Sequence, residues 1–290
     1  MSGLVSYFEL TKPRILPMVL LSGLPAIILA SEGPPSIPVA VAILVGISLA
    51  AGAANSLNAY LESDLDALMK RTRGRPIPSG RLRPERALAF GLVLGGLGIA
   101  ILYGVSGPLP ALIATSAILV YVFAYTLWLK PRTPLAVIVG GVSGAIAPLL
   151  ADAALGGGIG PVGCLLFAIV FIWQPPHFYA IALYRRDDYR AAGFPMLHDR
   201  IGDRATYRRI IVWILGLIPV TLLPVAFSLF GAIYASAAIG LGGLFLFEAL
   251  RLSRERTPRA ARRTLRVSLV YLLGIFGSML VDLAAASLFS

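Results

Sequence analysis

The sequence predicts an all-α integral membrane protein with nine transmembrane helices, and two observations lead there. Mean hydropathy is +0.84, with 58% of residues hydrophobic and only 13% charged. Apolar stretches recur at 15–31, 37–61, 87–105, 109–129, 134–151, 160–183, 210–230, 232–250 and 267–288. Roughly 20 apolar residues span a bilayer as a helix, and lipid forces backbone hydrogen bonds to close within each segment. The nine spans leave no room for a soluble domain, so residues 1–290 read as a single polytopic membrane domain.

Charge between the spans supports the same topology. All 25 Lys and Arg residues fall at the N-terminus or in the 62–86, 130–133, 185–209 and 251–266 loops, which are alternate loops. The opposite loops carry Glu32 and Asp152. This positive-inside pattern predicts a multi-pass cell-membrane protein, N-terminus cytoplasmic and C-terminus outside. It also accounts for the net charge of +11 without a nucleic-acid partner.

Taken in order, the 15–31 stretch follows Glu9, Lys12 and Arg14 and has no clean small-residue cleavage site, so it reads as a span and not a leader. The second span holds AGAAN (51–55) and the fifth GGVSGAIAP (140–148), small residues that let helices approach closely in lipid. The acid-bearing cytoplasmic loops 62–86 and 185–209 follow the second and sixth spans, four crossings apart, which fits two similarly oriented four-helix halves plus one helix. The one cysteine, Cys164, falls inside the sixth span, so no disulfide framework is expected.

Chemistry concentrates in two stretches. In NAYLESDLDALMKRTRGRPIPSG (58–80), Asn58, Glu62 and Asp66 recur at i, i+4 and i+8, which on a helix is one face. Asp64 falls nearly opposite, unless the helix ends early and lets it join the group. An amide with carboxylates, and no Cys and hardly any His nearby, suits Mg²⁺, which takes one or two carboxylates and completes its sphere with water and phosphate oxygens. Lys70, Arg71, Arg73 and Arg75 follow, natural complements to phosphate. The plainer alternative is a capping and salt-bridge face ending a span in water.

The second stretch is WQPPHFYAIALYRRDDYRAAGFPML (173–197). His177, Tyr184 and Asp188 lie near one helical face, and Pro175 and Pro176 open the backbone before them. His177 reads either as a hydrogen-bonded packing residue or as part of a site, and Asp187 with Asp188 as a second acid cluster. Two acidic clusters with cations between them describe a diphosphate held through metal ions. A transporter or channel would instead place ionisable groups near the bilayer midplane, and only Asp282 lies deep in a span.

These motifs resemble the UbiA superfamily of intramembrane prenyltransferases, and within it most closely the protohaem-farnesylating branch. The resemblance runs through LTKPR (10–14), N-x-x-x-E-x-D-x-D-x-x-M-x-R-T-x-x-R-P (58–76), YTLWLKPRTP with VIVGGVSGAIAP (125–148), WQPPHF, DDY and AGFPML (173–197). It implies nine helices enclosing a lateral cavity, with Mg²⁺ and an allylic polyprenyl diphosphate at the cytoplasmic rim. Asn58, Glu62 and Asp66 would hold metal together with Asp64, and Asp187 and Asp188 would form the second cluster; Lys70, Arg71, Arg75, Lys130 and Arg132 would hold diphosphate. Tyr125, His177, Phe178 and Tyr184 would line the acceptor or prenyl pocket. The acceptor implied is protohaem IX; a 4-hydroxybenzoate-type quinone precursor or a lipid is the rival, with membrane lipids as surroundings.

Overall fold

The structure, a computed structural model, describes residues 2–31 and 36–289; Glu32 lies outside the described residues. Every regular element among them is helical: α1 (Ser2–Leu10), α2 (Leu16–Ala30), α3 (Ile37–Leu61), α4 (Ser63–Leu68), α5 (Pro84–Ser106), α6 (Pro108–Leu119), α7 (Ala136–Gly144), α8 (Ile146–Leu155), α9 (Pro161–Tyr184), α10 (Arg186–Ala191), α11 (Leu197–Ile201), α12 (Asp203–Ala226), α13 (Ala232–Glu255) and α14 (Pro258–Phe289). From α6 the chain continues as a π-helix over Val120–Leu129. Eight stretches are long and apolar enough to cross a membrane; α6 with its π-helical extension counts as one, and α7 with α8 as another. The ninth expected span is α2, apolar but only 15 residues long.

The chain divides into two units. The first takes Met1–Gly163 and Asp187–Pro195. Within it α3 packs along α5, and α2 along α8. The α3–α5 approach is set by glycine. A Cβ on Gly98 would meet the Gly46 carbonyl oxygen at 2.9 Å and the Ala50 amide nitrogen at 3.0 Å, both backbone atoms that cannot swing aside. Gly98→Ala is therefore expected to destabilise the protein by about 1–3 kcal/mol, the usual cost of overpacking. Gly96→Ala, on the same helix with open space around it, should leave the detergent-solubilised melting temperature unchanged.

The 62–86 segment is folded onto this unit. Leu10, Ala59, Ile77, Leu82 and Ala87 form an apolar cluster, with Tyr7, Tyr60 and Phe90 against it. Arg81 adds a two-pronged hydrogen bond to the Glu9 carboxylate, at 2.7 and 3.3 Å, and donates to the Gly74 carbonyl.

The second unit takes Cys164–Arg186 and Met196–Ser290. Its core is aromatic, with Tyr234, Phe245, Tyr271 and Phe276 buried. The hydroxyls find partners, as a buried phenol in lipid must: Tyr234 donates to the Thr221 carbonyl, and Tyr271 shares a hydrogen bond with the Thr221 hydroxyl. Asp282, the deep acid of the sequence, accepts from the Gly231 and Tyr234 amides at the start of α13. It acts as a cap on orphan helix donors. Asp152 in the first unit is similarly occupied, accepting from the Gly160 amide at 2.7 Å.

Candidate active site

The Asn58–Asp66 column survives a break in its helix. α3 ends at Leu61 and α4 begins at Ser63, with Glu62 between them at φ −99°, ψ 9°. The backbone spacing nevertheless persists: the Glu62 amide donates to the Asn58 carbonyl at 2.9 Å, and the Asp66 amide to the Glu62 carbonyl at 2.8 Å. Asn58, Glu62 and Asp66 are all buried, at 2%, 5% and 1% exposure, while Asp64 is exposed.

Each side chain of the column faces a cation. Lys130 Nζ contacts both Glu62 oxygens, at 2.5 and 2.7 Å. Arg75 donates to Asp66 Oδ2 at 2.6 Å, brought back by a turn in which the buried Thr72 hydroxyl donates to the Asp66 carbonyl. Lys12 donates to Asn58 Oδ1 at 2.8 Å. The other end of that amide donates to the Thr126 hydroxyl at 3.1 Å, and Thr126 gives its own proton to the Tyr121 carbonyl. A hydroxyl has one proton, so Thr126 must accept from Asn58, and the amide oxygen is held toward the cations.

The π-helix brings Lys130 here. Its wider turn runs i to i+5, as in the Lys130 amide donating to the Tyr125 carbonyl at 2.9 Å. It leaves Lys130 Nζ over two rings, Phe194 at 4.8 Å and Tyr125 at 5.6 Å. Room for Tyr125 comes from Gly140, where a Cβ would sit 2.6 Å from the ring.

Lys12 is the residue the sequence did not single out. It adopts φ +54°, a left-handed conformation costing a non-glycine residue about 1–2 kcal/mol, and Pro13 behind it disfavours the ordinary helical alternative. Its amine is drawn down to about 7, chiefly by burial and then by the Arg75 charge, with Lys130 adding to this and Glu62 and Asp66 opposing it. An unfolded lysine titrates near 10.5, so between pH 7 and 10.5 the unfolded chain binds more protons than the folded one, and folding gains with rising pH. Without metal or diphosphate, the stability of the wild type relative to Lys12→Met should rise across that window in thermal melts. A flat difference would contradict it.

The remaining expected residues are placed less centrally. Lys70, Arg71, Arg132 and Asp187 are exposed, and Arg132 caps the Leu127 and Trp128 carbonyls. Asp188 is buried on α10. Among the described residues no three acidic, His or Cys side chains lie close enough to form a metal site by themselves. In the second unit His177 is buried, Phe178 lies edge-on to it at 5.6 Å, and the Tyr184 ring lies under Arg185 at 4.6 Å and Arg262 at 5.6 Å.

The sequence profile of the UbiA prenyltransferase family matches residues 19–275. The chain belongs to the UbiA prenyltransferase family. It is a prenyltransferase, as that membership and the relatives below indicate. It is 42% identical to a protoheme IX farnesyltransferase of Symbiobacterium thermophilum over 282 residues, covering 97% of this chain and 94% of that one. It is also 42% identical to the protoheme IX farnesyltransferase of Alkalilimnicola ehrlichii, over 95% and 91% of the two chains. Among solved structures, a digeranylgeranylglyceryl phosphate synthase superposes with TM-score 0.80 at 17% identity, over 97% of this UbiA chain and 99% of the other. A UbiA homologue from Archaeoglobus fulgidus bound to DMAPP and Mg²⁺ superposes with TM-score 0.63 at 14% identity, over 95% and 99%. These two establish the shared helical fold.

Proposed function

We propose that this prenyltransferase moves a farnesyl-type group from its allylic diphosphate to protohaem IX, at a membrane rim built on Asn58, Glu62 and Asp66. The diphosphate half rests on one observation: three oxygen-bearing side chains, each already engaged by a separate cation. The acceptor half is supported by full-length relatives named protoheme IX farnesyltransferase. The rim faces the cytoplasm on this reading, as the distribution of Lys and Arg suggests.

The donors present fit Mg²⁺. They are hard oxygens, Asn58 Oδ1 is held in the orientation a cation would require, and one or two carboxylates are all that Mg²⁺ needs when a diphosphate supplies further oxygens. Asn58, Glu62 and Asp66 would hold the ion, which when bound supplies charge neutralisation to the departing diphosphate. Asp188, Asp187 and Asp64 are secondary candidates from the same motifs.

The chain's own residues do the rest. Lys12, Arg75 and Lys130 exchange carboxylate and amide partners for diphosphate oxygens, where charge grows as the C–O bond breaks, and so favour bond breaking over substrate binding alone. Tyr125 and Phe194, stacked around the Lys130 amine, offer π faces to the positive charge left on the allyl group. Exclusion of water keeps that carbon for an electron-rich acceptor carbon, here a vinyl group of the porphyrin. No protein nucleophile takes part.

Purified protein given Mg²⁺ and radiolabelled farnesyl diphosphate, with protohaem IX and 4-hydroxybenzoate offered together, should label the porphyrin. Label on 4-hydroxybenzoate alone would overturn the acceptor assignment.

A further inference from the structure

Asn58 meets Thr126 and Glu62 meets Lys130, and both pairs are separated by the same 68 residues. The π-helical stretch Val120–Leu129, with the lysine that ends it, thus presents a ladder of matching step to the column. Thr126 is aimed differently from other threonines in the helices. Thr115 and Thr221 return their hydroxyl protons to the carbonyl four residues back, at 2.7 and 2.9 Å, the usual habit inside a helix. Thr126 reaches the Tyr121 carbonyl, five back, at 2.8 Å, because the chain here follows the wider π spacing. Its proton is engaged within its own helix, and the hydroxyl oxygen is left to accept from Asn58 Nδ2 at 3.1 Å.

Two partners therefore hold the amide in the same one of its two orientations. The Lys12 ammonium can only donate and meets Oδ1, while Thr126 can only accept and meets Nδ2. Both members of the second pair are buried, Asn58 at 2% and Thr126 at 5% exposure. Of the two holds, only that of Thr126 outlasts binding, since Lys12 occupies the very oxygen that a metal would take. In this geometry a carboxylate at position 58 would set an oxygen against a hydroxyl whose proton is already spent. An amide is what fits.

We infer that Thr126 is the positioning residue of the metal site: through Asn58 Nδ2 it presets Oδ1 toward the ion before metal or diphosphate arrives, and the π-helical turn aims its hydroxyl. This rests on the reading of the column as a metal–diphosphate site and adds the group that orients its amide. Partners that orient a ligand in this way typically contribute about 10–100-fold to metal affinity.

The chain has two asparagines, Asn55 and Asn58, so the amide can be observed directly. Asn55 donates to the Thr11 carbonyl at 3.1 Å and serves as the internal control for the fold. Full-length protein in detergent micelles, labelled with ¹⁵N at the asparagine side chains, should give two NH₂ signals by nuclear magnetic resonance, and Asn58→Ala assigns them by removing one. Without metal, Thr126→Val should move the Asn58 signal and speed its hydrogen exchange while the Asn55 signal stays in place. Thr126→Ser should restore the wild-type spectrum. Mn²⁺ binding in the presence of the unreactive farnesyl thiodiphosphate, followed by electron paramagnetic resonance, should weaken by about 10–100-fold in Thr126→Val and return to the wild-type value in Thr126→Ser. Affinity for the analogue without metal should be the same in all three proteins. An Asn58 signal unmoved by Thr126→Val, a Thr126→Ser protein that behaves like Thr126→Val, or Mn²⁺ binding weakened by Asn58→Ala but not by Thr126→Val overturns the positioning role and leaves the column standing. Mn²⁺ binding indifferent to Asn58→Ala as well overturns both.

Discussion

Asp66→Asn is expected to lower kcat/KM for farnesyl transfer by about 10²–10³-fold, the usual loss when one preorganised electrostatic partner of a transition state is removed, with the fold retained. Stability should change little because the partner left behind can reach water: Arg75 is 27% exposed against 1% for Asp66. Steady-state rates alongside thermal melts separate the two effects. Full activity in this variant would show that Asp66 holds neither metal nor diphosphate.

Lys130→Met should behave differently, because it leaves a buried charge without its partner. Glu62 is 6% exposed at its side chain and Lys130 17%, and removing one member of such a pair costs about 3–5 kcal/mol. The variant should thus be both inactive and unstable. Adding Glu62→Gln should recover most of the stability, since the uncompensated carboxylate is then gone, and recover none of the activity. Restored turnover in the double variant would reduce the pair to a structural one.

The contrast shows what could be read from the sequence. The spacing of Asn58, Glu62 and Asp66 was legible because helical period alone puts them on one face, and the i to i+4 hydrogen bonds carry that period across the break at Glu62. Hydropathy made the helices legible because lipid allows a spanning segment little else. Lys12 was not: it meets Asn58 across 46 residues, and among alternating basic loops it reads as a topology charge. Which cations turn inward was equally hidden, since Arg71 and Arg75 look alike in sequence and only Arg75 is folded back by the Thr72 turn. The π-helical turn that delivers Lys130 has no composition signature, and Thr126 lies 68 residues from the amide it orients.

Charge at the rim makes one more demand. With Lys12 protonated, as below about pH 7, Lys12, Arg75 and Lys130 against Glu62 and Asp66 leave one surplus positive charge, so a divalent cation alone adds repulsion and a diphosphate alone reverses the sign. Together they bring the site near neutrality. The direct measurement is calorimetric titration of the unreactive farnesyl thiodiphosphate into wild type and the Glu62→Gln/Asp66→Asn variant, with and without Mg²⁺. Wild type should bind the analogue at least about tenfold more tightly when Mg²⁺ is present, as one 1.4 kcal/mol increment of coupling requires, and the variant should show no such gain. Equal Mg²⁺ enhancement in both proteins would contradict the assignment of this column as the metal–diphosphate site.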